Sequence, residues 1–252
     1  MAPEATSSVD AEEVARFARM AESWWDVEGS AKPLHRLNPA RLQFIRDRLL
    51  MHFDGEPASV RPFAGRRLLD IGCGAGLVTE PMARLGFAVT GIDAASEMVG
   101  AARAHAATMG LAIEYRAADV ETVAADGTMF DAVLALEIVE HVTDPAAFIA
   151  AAASLVKPGG ALILSTINRT ARGWLLGIVA AEQVLGWVPR GTHRWRRFVR
   201  PSEMAAMLRR NTLKPEAVTG LRYDVLADRW LPTRDLAVNY LLMATRAPLA
   251  GP

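Results

Sequence analysis

Two short runs of this chain hold residue types and spacings that can do chemistry. The first is Asp70-Ile71-Gly72-Cys73-Gly74-Ala75-Gly76, with Asp93 standing 21 residues after Gly72. Glycines behind a strand let the backbone turn sharply and come close to a ligand. A carboxylate ending the next strand can accept both hydroxyls of a ribose. A tight turn with a helix cap is the plain alternative. A nicotinamide site is another, but that fingerprint is G-x-G-x-x-G and the spacing here is G-x-G-x-G behind an acid. The second run is Leu136-Glu137-Ile138-Val139-Glu140-His141. On a helical turn, positions i, i+3 and i+4 share a face. Glu137, Glu140 and His141 would then converge, and two carboxylates with an imidazole can hold a divalent cation, the oxygen ligands favouring Mg²⁺. The same trio can instead shape a pocket or do acid–base work, with His141 as the proton acceptor.

The elements that must place these runs alternate. Apolar strands are expected at Arg67–Ile71, Ala88–Ile92 (ending at Asp93), Ile113–Arg116, Phe130–Leu136 and Ala161–Thr166. Helices are expected at Leu77–Leu85, Glu97–Met109 and Pro145–Val156, closed by Gly86, Gly110 and Lys157-Pro158-Gly159-Gly160. Alternation of this kind predicts an α/β fold with a doubly wound, largely parallel sheet covered on both faces. An N-terminal helical arm over residues 10–60 precedes it. There Asp10 with Glu13 reads as a capping box for a helix running towards Trp25, and Asn38-Pro39 reads as the start of a second helix to about Leu50. A helical insertion over 168–200 follows the fifth strand. Beyond it, Ser202 caps a helix to Asn211, and strands are expected near Lys214–Thr219 and Val238–Thr245. Residues 1–9 read as a disordered tail and 10–252 as a single domain.

Bulk properties narrow the function. Apolar residues make up 51% of the 252, enough for a sizeable core, and 28 basic residues balance 28 acidic ones. Binding to nucleic acid through phosphate neutralisation normally needs a basic excess, so a nucleic-acid partner is disfavoured. One cysteine, Cys73, makes no disulfide framework, which points to a reducing compartment. The acidic, Ala/Ser/Pro-rich start is no secretory signal, and no apolar stretch approaches the about 20 residues a spanning helix needs. A cytoplasmic protein is expected.

The turn Asp70–Gly76, with Asp93, Asp119 after the third strand and the K-P-G-G turn before the fifth, resembles motif I and its companions in the class I S-adenosylmethionine-dependent methyltransferases, whose ligand has no pyrophosphate. A second resemblance is more specific. W-W-D-x-E-G at 24–29 and K-P-L-H-R-x-N-P-x-R at 32–41 are similar to the ubiquinone-biosynthesis O-methyltransferases. The likeness continues through L-E-I-V-E-H-V, L-V-K-P-G-G, S-T-I-N-R-T, P-R-G-T-H and V-N-Y, over nearly all of residues 12–245. Departures are mild: Ala75 stands where glycine is usual, and Leu136 where methionine or serine often sits. The resemblance implies S-adenosylmethionine as cofactor, with Arg41, Gly72, Gly74, Asp93, Asp119 and Leu136 as its contacts. It implies Glu137, Glu140 and His141 as Mg²⁺ ligands, and a polyprenyl phenol or quinol as substrate. Association with other ubiquinone-biosynthesis enzymes is a further expectation. A guanidinium at Arg41 suits the methionine carboxylate, which it can hold bidentately. A phenol of pKa about 10 is ionised about once in a thousand at pH 7, a deficit of roughly 4 kcal/mol. General base catalysis, supplying about 10²- to 10⁴-fold, meets much of that, as would a cation on the oxyanion.

The insertion pairs apolar Trp174, Leu175, Ile178, Val179, Leu185, Trp187 and Val188 with a basic end running from Arg190 to Arg200. It reads either as a cover over the site or as a surface helix touching anionic lipid at the inner face of a membrane. Three other functional readings stand beside the main one: methylation of another small phenol, a non-catalytic lipid- or partner-binding protein on the same fold, and a nicotinamide-dependent oxidoreductase.

Overall fold

Apolar runs that alternate with helices must be buried on both faces, and four of the first five strands largely are, while the edge strand at Glu114–Ala117 buries only Tyr115. A computed structural model describes residues 8–29, 31–175 and 195–249 of the chain. β1 (Arg67–Ile71), β2 (Ala88–Asp93), β3 (Glu114–Ala117), β4 (Phe130–Leu136) and β5 (Val156–Ile167) pair in parallel in the order β3-β2-β1-β4-β5. β8 (Asn239–Arg246) runs antiparallel beside β5, and the hairpin of β6 (Leu213–Asp224) and β7 (Arg229–Thr233) extends the sheet. The winding reverses between β1 and β4. Ligands of open α/β sheets bind outside the carboxyl ends of the strands at such a switch, and both chemistry-bearing runs of the sequence begin there.

Successive strand residues face opposite sides. Leu69, Val133 and Leu162 pack on one face against Val123, Phe148, Ile149, Met204 and Leu208. These helical residues come from α5 (Val120–Ala125), α6 (Pro145–Ser154) and α8 (Pro201–Arg210). Leu68, Leu134 and Ile163 pack on the other face against Phe44, Ile45 and Leu49 of α2 (Lys32–His52) and Met82 of α3 (Thr79–Arg84). α4 (Ser96–Thr108) covers β2 and β3.

The arm departs from the sequence reading in three places. α1 (Ala11–Ala18) is capped by Asp10, which accepts from Glu12 N at 3.1 Å, but Glu13 does not close a capping box. The helix stops well short of Trp25. Asn38-Pro39 starts nothing: α2 runs through Pro39, the proline that opens it is Pro33, and the buried Asn38 sends its Nδ2 to Leu77 O at 2.8 Å. A proline in a helix removes one hydrogen bond, and here tertiary contacts hold the helix through it. Ser8, assigned to the tail, is buried, and its carbonyl accepts from Thr143 N at 2.8 Å and Oγ1 at 3.0 Å.

Two other differences are local. β5 starts at Val156, and a register shift against β4 absorbs Lys157–Gly160 as a bulge. β7 escaped the sequence reading because Pro232 interrupts it, which an edge strand tolerates. Of the expected insertion, a short helical turn α7 (Ala171–Gly173) and a 3₁₀ turn at Trp195–Arg197 are described, and residues 176–194 lie outside the described residues. No helix among the described residues is long and apolar enough to cross a membrane.

Candidate active site

Beyond Ile71 the chain turns through Gly72 and Gly74, at φ +68° and +52°. A Cβ on Gly72 would stand 2.1 Å from Ile138 Cδ1, so the turn needs glycine both for its backbone and for its neighbour. Asp93 fastens the turn to β2. Its Oδ2 accepts from Gly74 N and its Oδ1 from Ala95 N, each at 2.9 Å. Burial raises the Asp93 pKa, and those two N–H groups pull it back. The arm supplies the other side of the turn. The Trp24 ring lies over Gly74, and Trp25 donates Nε1 to Ala75 O at 2.9 Å. Trp25 also stacks on His105 at 3.5 Å between centroids.

A cavity of about 320 Å³ opens at this point. Gly72, Gly74, Asp93, Asp119 and Leu136 line it from the strand ends, Arg41 from α2, and Glu137 and His141 from the loop after β4. The structure therefore brings the expected cofactor contacts to one cavity. Asp119 also caps α5, accepting from Thr122 N at 2.9 Å.

Arg41 is the buried cation of the cavity. Its Nη2 stands 3.6 Å from Glu137 Oε1, and Nε and Nη2 make no hydrogen bond among the described residues. Burial lowers its pKa, while Glu137, Asp70 and Glu140 raise it. Asp70 answers in kind. Burial pushes its carboxyl up to about 7, against the opposing pull of Thr79, whose Oγ1 donates to Oδ2 at 2.6 Å, and of Arg41. Asn38 Oδ1 and Trp24 Nε1, also in residues lining the cavity, are buried without a partner among the described residues. Unpaired buried polar atoms are costly and rare, so a cluster of them in one wall marks a place where a polar ligand completes the bonding.

The loop after β4 overturns one expectation. Residues 137–141 are not a helical turn: Glu137 sits at φ +56°, and a tight turn closes with His141 N on Ile138 O at 2.8 Å. The three side chains therefore do not share a face. Glu137 Oε1 accepts from Ser165 Oγ at 2.6 Å. Glu140 is buried beside Glu137, with its Oε2 on Thr166 Oγ1 at 2.8 Å, and burial with that neighbouring carboxylate holds its pKa well up. His141 turns away to the arm: Nδ1 lies 3.0 Å from Glu13 Oε2, and the ring meets Phe17 edge-on at 5.3 Å. Among the described residues no group of three His, Cys, Asp or Glu side chains is placed to hold a metal ion. Glu137, Glu140 and His141 are not gathered as a metal-holding group in this arrangement, and Arg41 Nη2 is the cation 3.6 Å from Glu137 Oε1.

Burial pushes the His141 imidazole down to about 4, with Arg16 and Arg197 adding to it, outweighing the acids nearby. The ring is neutral at physiological pH. Glu13 was the residue that sequence reasoning misplaced. The signal that could have found it is the i, i+4 pair Glu13 and Phe17 on one face of an amphipathic helix.

An acid-led G-x-G-x-G turn at the winding switch of a parallel sheet, with an antiparallel strand beside β5, places this chain among the class I S-adenosylmethionine-dependent methyltransferases. Residues 69–164 match the family described as "Methyltransferase domain". Among solved structures, magnesium protoporphyrin IX methyltransferase from Synechocystis PCC 6803 with bound SAM superposes at a TM-score of 0.60. It is 18% identical and covers 96% of this chain and 100% of its own. A possible histamine N-methyltransferase from Thermotoga maritima superposes at 0.62 with 16% identity, covering 93% and 98%. Such likenesses show the fold.

Sequence relatives go further. The ubiquinone biosynthesis O-methyltransferase of Parvibaculum lavamentivorans is 47% identical over 96% of both chains, and that of Paramagnetospirillum magneticum 49% over 93% and 94%. The mitochondrial enzyme of that name from Arabidopsis thaliana is 45% identical over 96% of this chain and 76% of its own. The chain belongs to the ubiquinone biosynthesis O-methyltransferase family.

Proposed function

We propose that the chain transfers the methyl group of S-adenosylmethionine to phenolic hydroxyls of polyprenylated ubiquinone precursors, acting on a monohydroxy and on a catechol-like ring. One observation carries the assignment of the cofactor's place: a buried guanidinium, two of whose N–H-bearing nitrogens make no hydrogen bond among the described residues, in the wall of the cavity that Asp93 also lines. In this reading Arg41 grips the methionine carboxylate, completing a charge-assisted pair. The Asp93 oxygens have acceptor capacity left beyond their two backbone bonds and take the ribose hydroxyls. Gly72 and Gly74 admit the ligand close to the backbone, and Asp119 and Leu136 border it. Apolar Phe17, Leu37 and Val142 line the same cavity and offer an aromatic ring a dry surface. His141, neutral at working pH, accepts the hydroxyl proton as oxygen attacks the methyl carbon. The cavity holds oxygen, carbon and sulfur in line. No step is assigned to a metal.

Titration calorimetry with S-adenosylhomocysteine and with NAD is expected to give heat for the first alone. Turnover of short-tailed monohydroxy and catechol precursors, read by mass spectrometry, is expected to add one methyl group to oxygen in each. NAD binding in place of S-adenosylhomocysteine, or methylation of simple phenols alone, would displace this reading.

A second reading concerns the membrane. Trp174 and Leu175 on one side of residues 176–194, and Trp195 on the other, are about half exposed, with Arg196 and Arg200 exposed beside Trp195. Tryptophan and arginine together suit an anionic lipid interface. Co-sedimentation is expected to be greater with anionic than with neutral vesicles, and equal recovery would count against a basic lipid-binding face.

A further inference from the structure

We propose that Asn38 binds the ammonium of the cofactor's methionine end, so that one face of α2 holds both charges of that zwitterion, Arg41 the carboxylate and Asn38 the ammonium. This rests on the reading of the cavity as the S-adenosylmethionine site, and it adds a residue outside the expected set of cofactor contacts.

Asn38 is 8% exposed and lines the cavity together with Leu34, Leu37 and Arg41 of the same helix. Counted from Leu34, these positions fall at i, i+3, i+4 and i+7, which is one face of a helix. The amide has a fixed orientation. Its Nδ2 donates to Leu77 O at 2.8 Å, and a carbonyl accepts only from the N–H₂ end, so the two ends do not exchange. Oδ1 is the end left over. It is buried, makes no hydrogen bond among the described residues, and can only accept. A buried acceptor without a donor is costly, so a ligand that brings a donor gains by meeting it.

Arg41, one turn further along, has the opposite need. Its Nε and Nη2 are donors that make no hydrogen bond among the described residues. Trp24 contributes another. Trp25 spends its Nε1 on Ala75 O, whereas the buried Nε1 of Trp24, in the same wall, has no partner among the described residues. His35 of α2 bonds Trp24 O at 2.8 Å and ties that ring's backbone to the helix. Unmet donors beside an unmet acceptor suit a group that carries a carboxylate and an ammonium on one carbon. An ammonium has three N–H groups and no acceptor, so it satisfies Oδ1 and is repelled by the guanidinium; a carboxylate does the reverse. The two side chains thereby orient the amino-acid end as well as hold it. Asp70 is the rival acceptor in this wall, and its Oδ2 already takes Thr79 Oγ1 at 2.6 Å.

Calorimetry on the full-length protein with three ligands tests this. They are S-adenosylhomocysteine, its deaminated analogue with hydrogen in place of the ammonium, and 5′-methylthioadenosine, which lacks the whole amino-acid end. Asn38→Leu keeps the branched shape of the amide without its polar atoms. It is expected to weaken S-adenosylhomocysteine by about 10- to 10²-fold, the worth of a hydrogen bond to a charged group. The other two ligands should stay within about twofold. The wild type should itself prefer S-adenosylhomocysteine to the deaminated analogue by about 10-fold or more. In turnover, the KM for S-adenosylmethionine should rise and kcat should change little, because the contact serves ground state and transition state alike.

If Asn38 only ties α2 to Leu77, the variant loses stability and weakens all three ligands alike, and that pattern overturns the proposal. So does an Asn38→Leu protein that still prefers S-adenosylhomocysteine to the deaminated analogue as strongly as the wild type does, since another group then holds the ammonium. A wild type that binds both equally overturns it without any variant. Should Asn38→Leu fail to fold, Asn38→Ser, a shorter polar side chain, repeats the comparison with the same expected loss. A wild type that binds no S-adenosylhomocysteine removes the cofactor reading itself, whereas binding without dependence on the ammonium removes only the role of Asn38.

Discussion

Replacing His141 by glutamine is expected to lower kcat on a catechol precursor by about 10²- to 10⁴-fold, the range general base catalysis supplies. Cofactor affinity should hardly move. The neutral phenol is the dominant species at pH 7, and reaching the phenoxide costs roughly 4 kcal/mol. A methyl acceptor that cannot shed its proton as the C–O bond forms carries that cost into the transition state. His141 can accept that proton because burial, by pushing its pKa down to about 4, leaves it unprotonated, although the same shift weakens it as a base. The ring is therefore already unprotonated over the whole range from pH 6 to 8, and kcat should be flat there as far as this group is concerned. The sign is definite: an acid limb owed to His141 appears only as pH falls towards 4, where the ring takes a proton and ceases to accept one. The variant should keep residual turnover, since in-line placement of oxygen, methyl carbon and sulfur is independent of the base. Single-turnover rates with S-adenosylmethionine saturating would measure the loss directly. A variant retaining more than half of wild-type turnover would take His141 out of the chemistry.

The half of the site built from strand ends was legible in the sequence because its signals are local. β1 and β4 were found at their full lengths because each is a short apolar run bounded by charge, turn or glycine. The residues that follow them, Gly72 and Leu136–Glu137, inherit their positions from the sheet. The half supplied by the arm was not legible. Trp24 over Gly74, Trp25 on Ala75 and Glu13 on His141 join residues 50 or more apart in sequence, and no periodicity encodes such a meeting.

Where sequence rules failed, a nonlocal contact won. Asn38-Pro39 has the composition of a helix start, yet Asn38 spends its amide on Leu77 and the helix passes through. Glu137, Glu140 and His141 have helical spacing, but Glu137 adopts φ +56° with its N–H on Ser165 O at 3.0 Å. The chain leaves a helical path there, and the His141 ring meets Glu13 of the arm. Periodicity predicts a shared face only where a helix exists to impose it.

Arg41→Met is expected to be the most damaging single change to the folded protein. Methionine matches much of the arginine stem in length and flexibility, so packing changes little and charge is the main loss. Arg41 is a buried cation facing three acids, Glu137 at 3.6 Å together with Asp70 and Glu140. Removing one partner of a buried pair leaves uncompensated charge, at a cost of about 3–5 kcal/mol. Urea melts should show that deficit, and S-adenosylhomocysteine should protect the variant far less than the wild type because its carboxylate has lost its partner. The deficit should also depend on pH, through Asp70. In the wild type its folded pKa of about 7 lies above the ordinary 3.8. Between those values the folded state binds the extra proton, and stability falls as pH rises. Arg41 is one of the influences that keep this pKa from climbing further. Without it the folded pKa moves above 7, and the falling stretch extends to higher pH. The variant should therefore lie closer to the wild type at pH 6 than at pH 8. A gap that is constant across that interval would mean Arg41 stabilises by packing alone, and that the acids around it are balanced by something else.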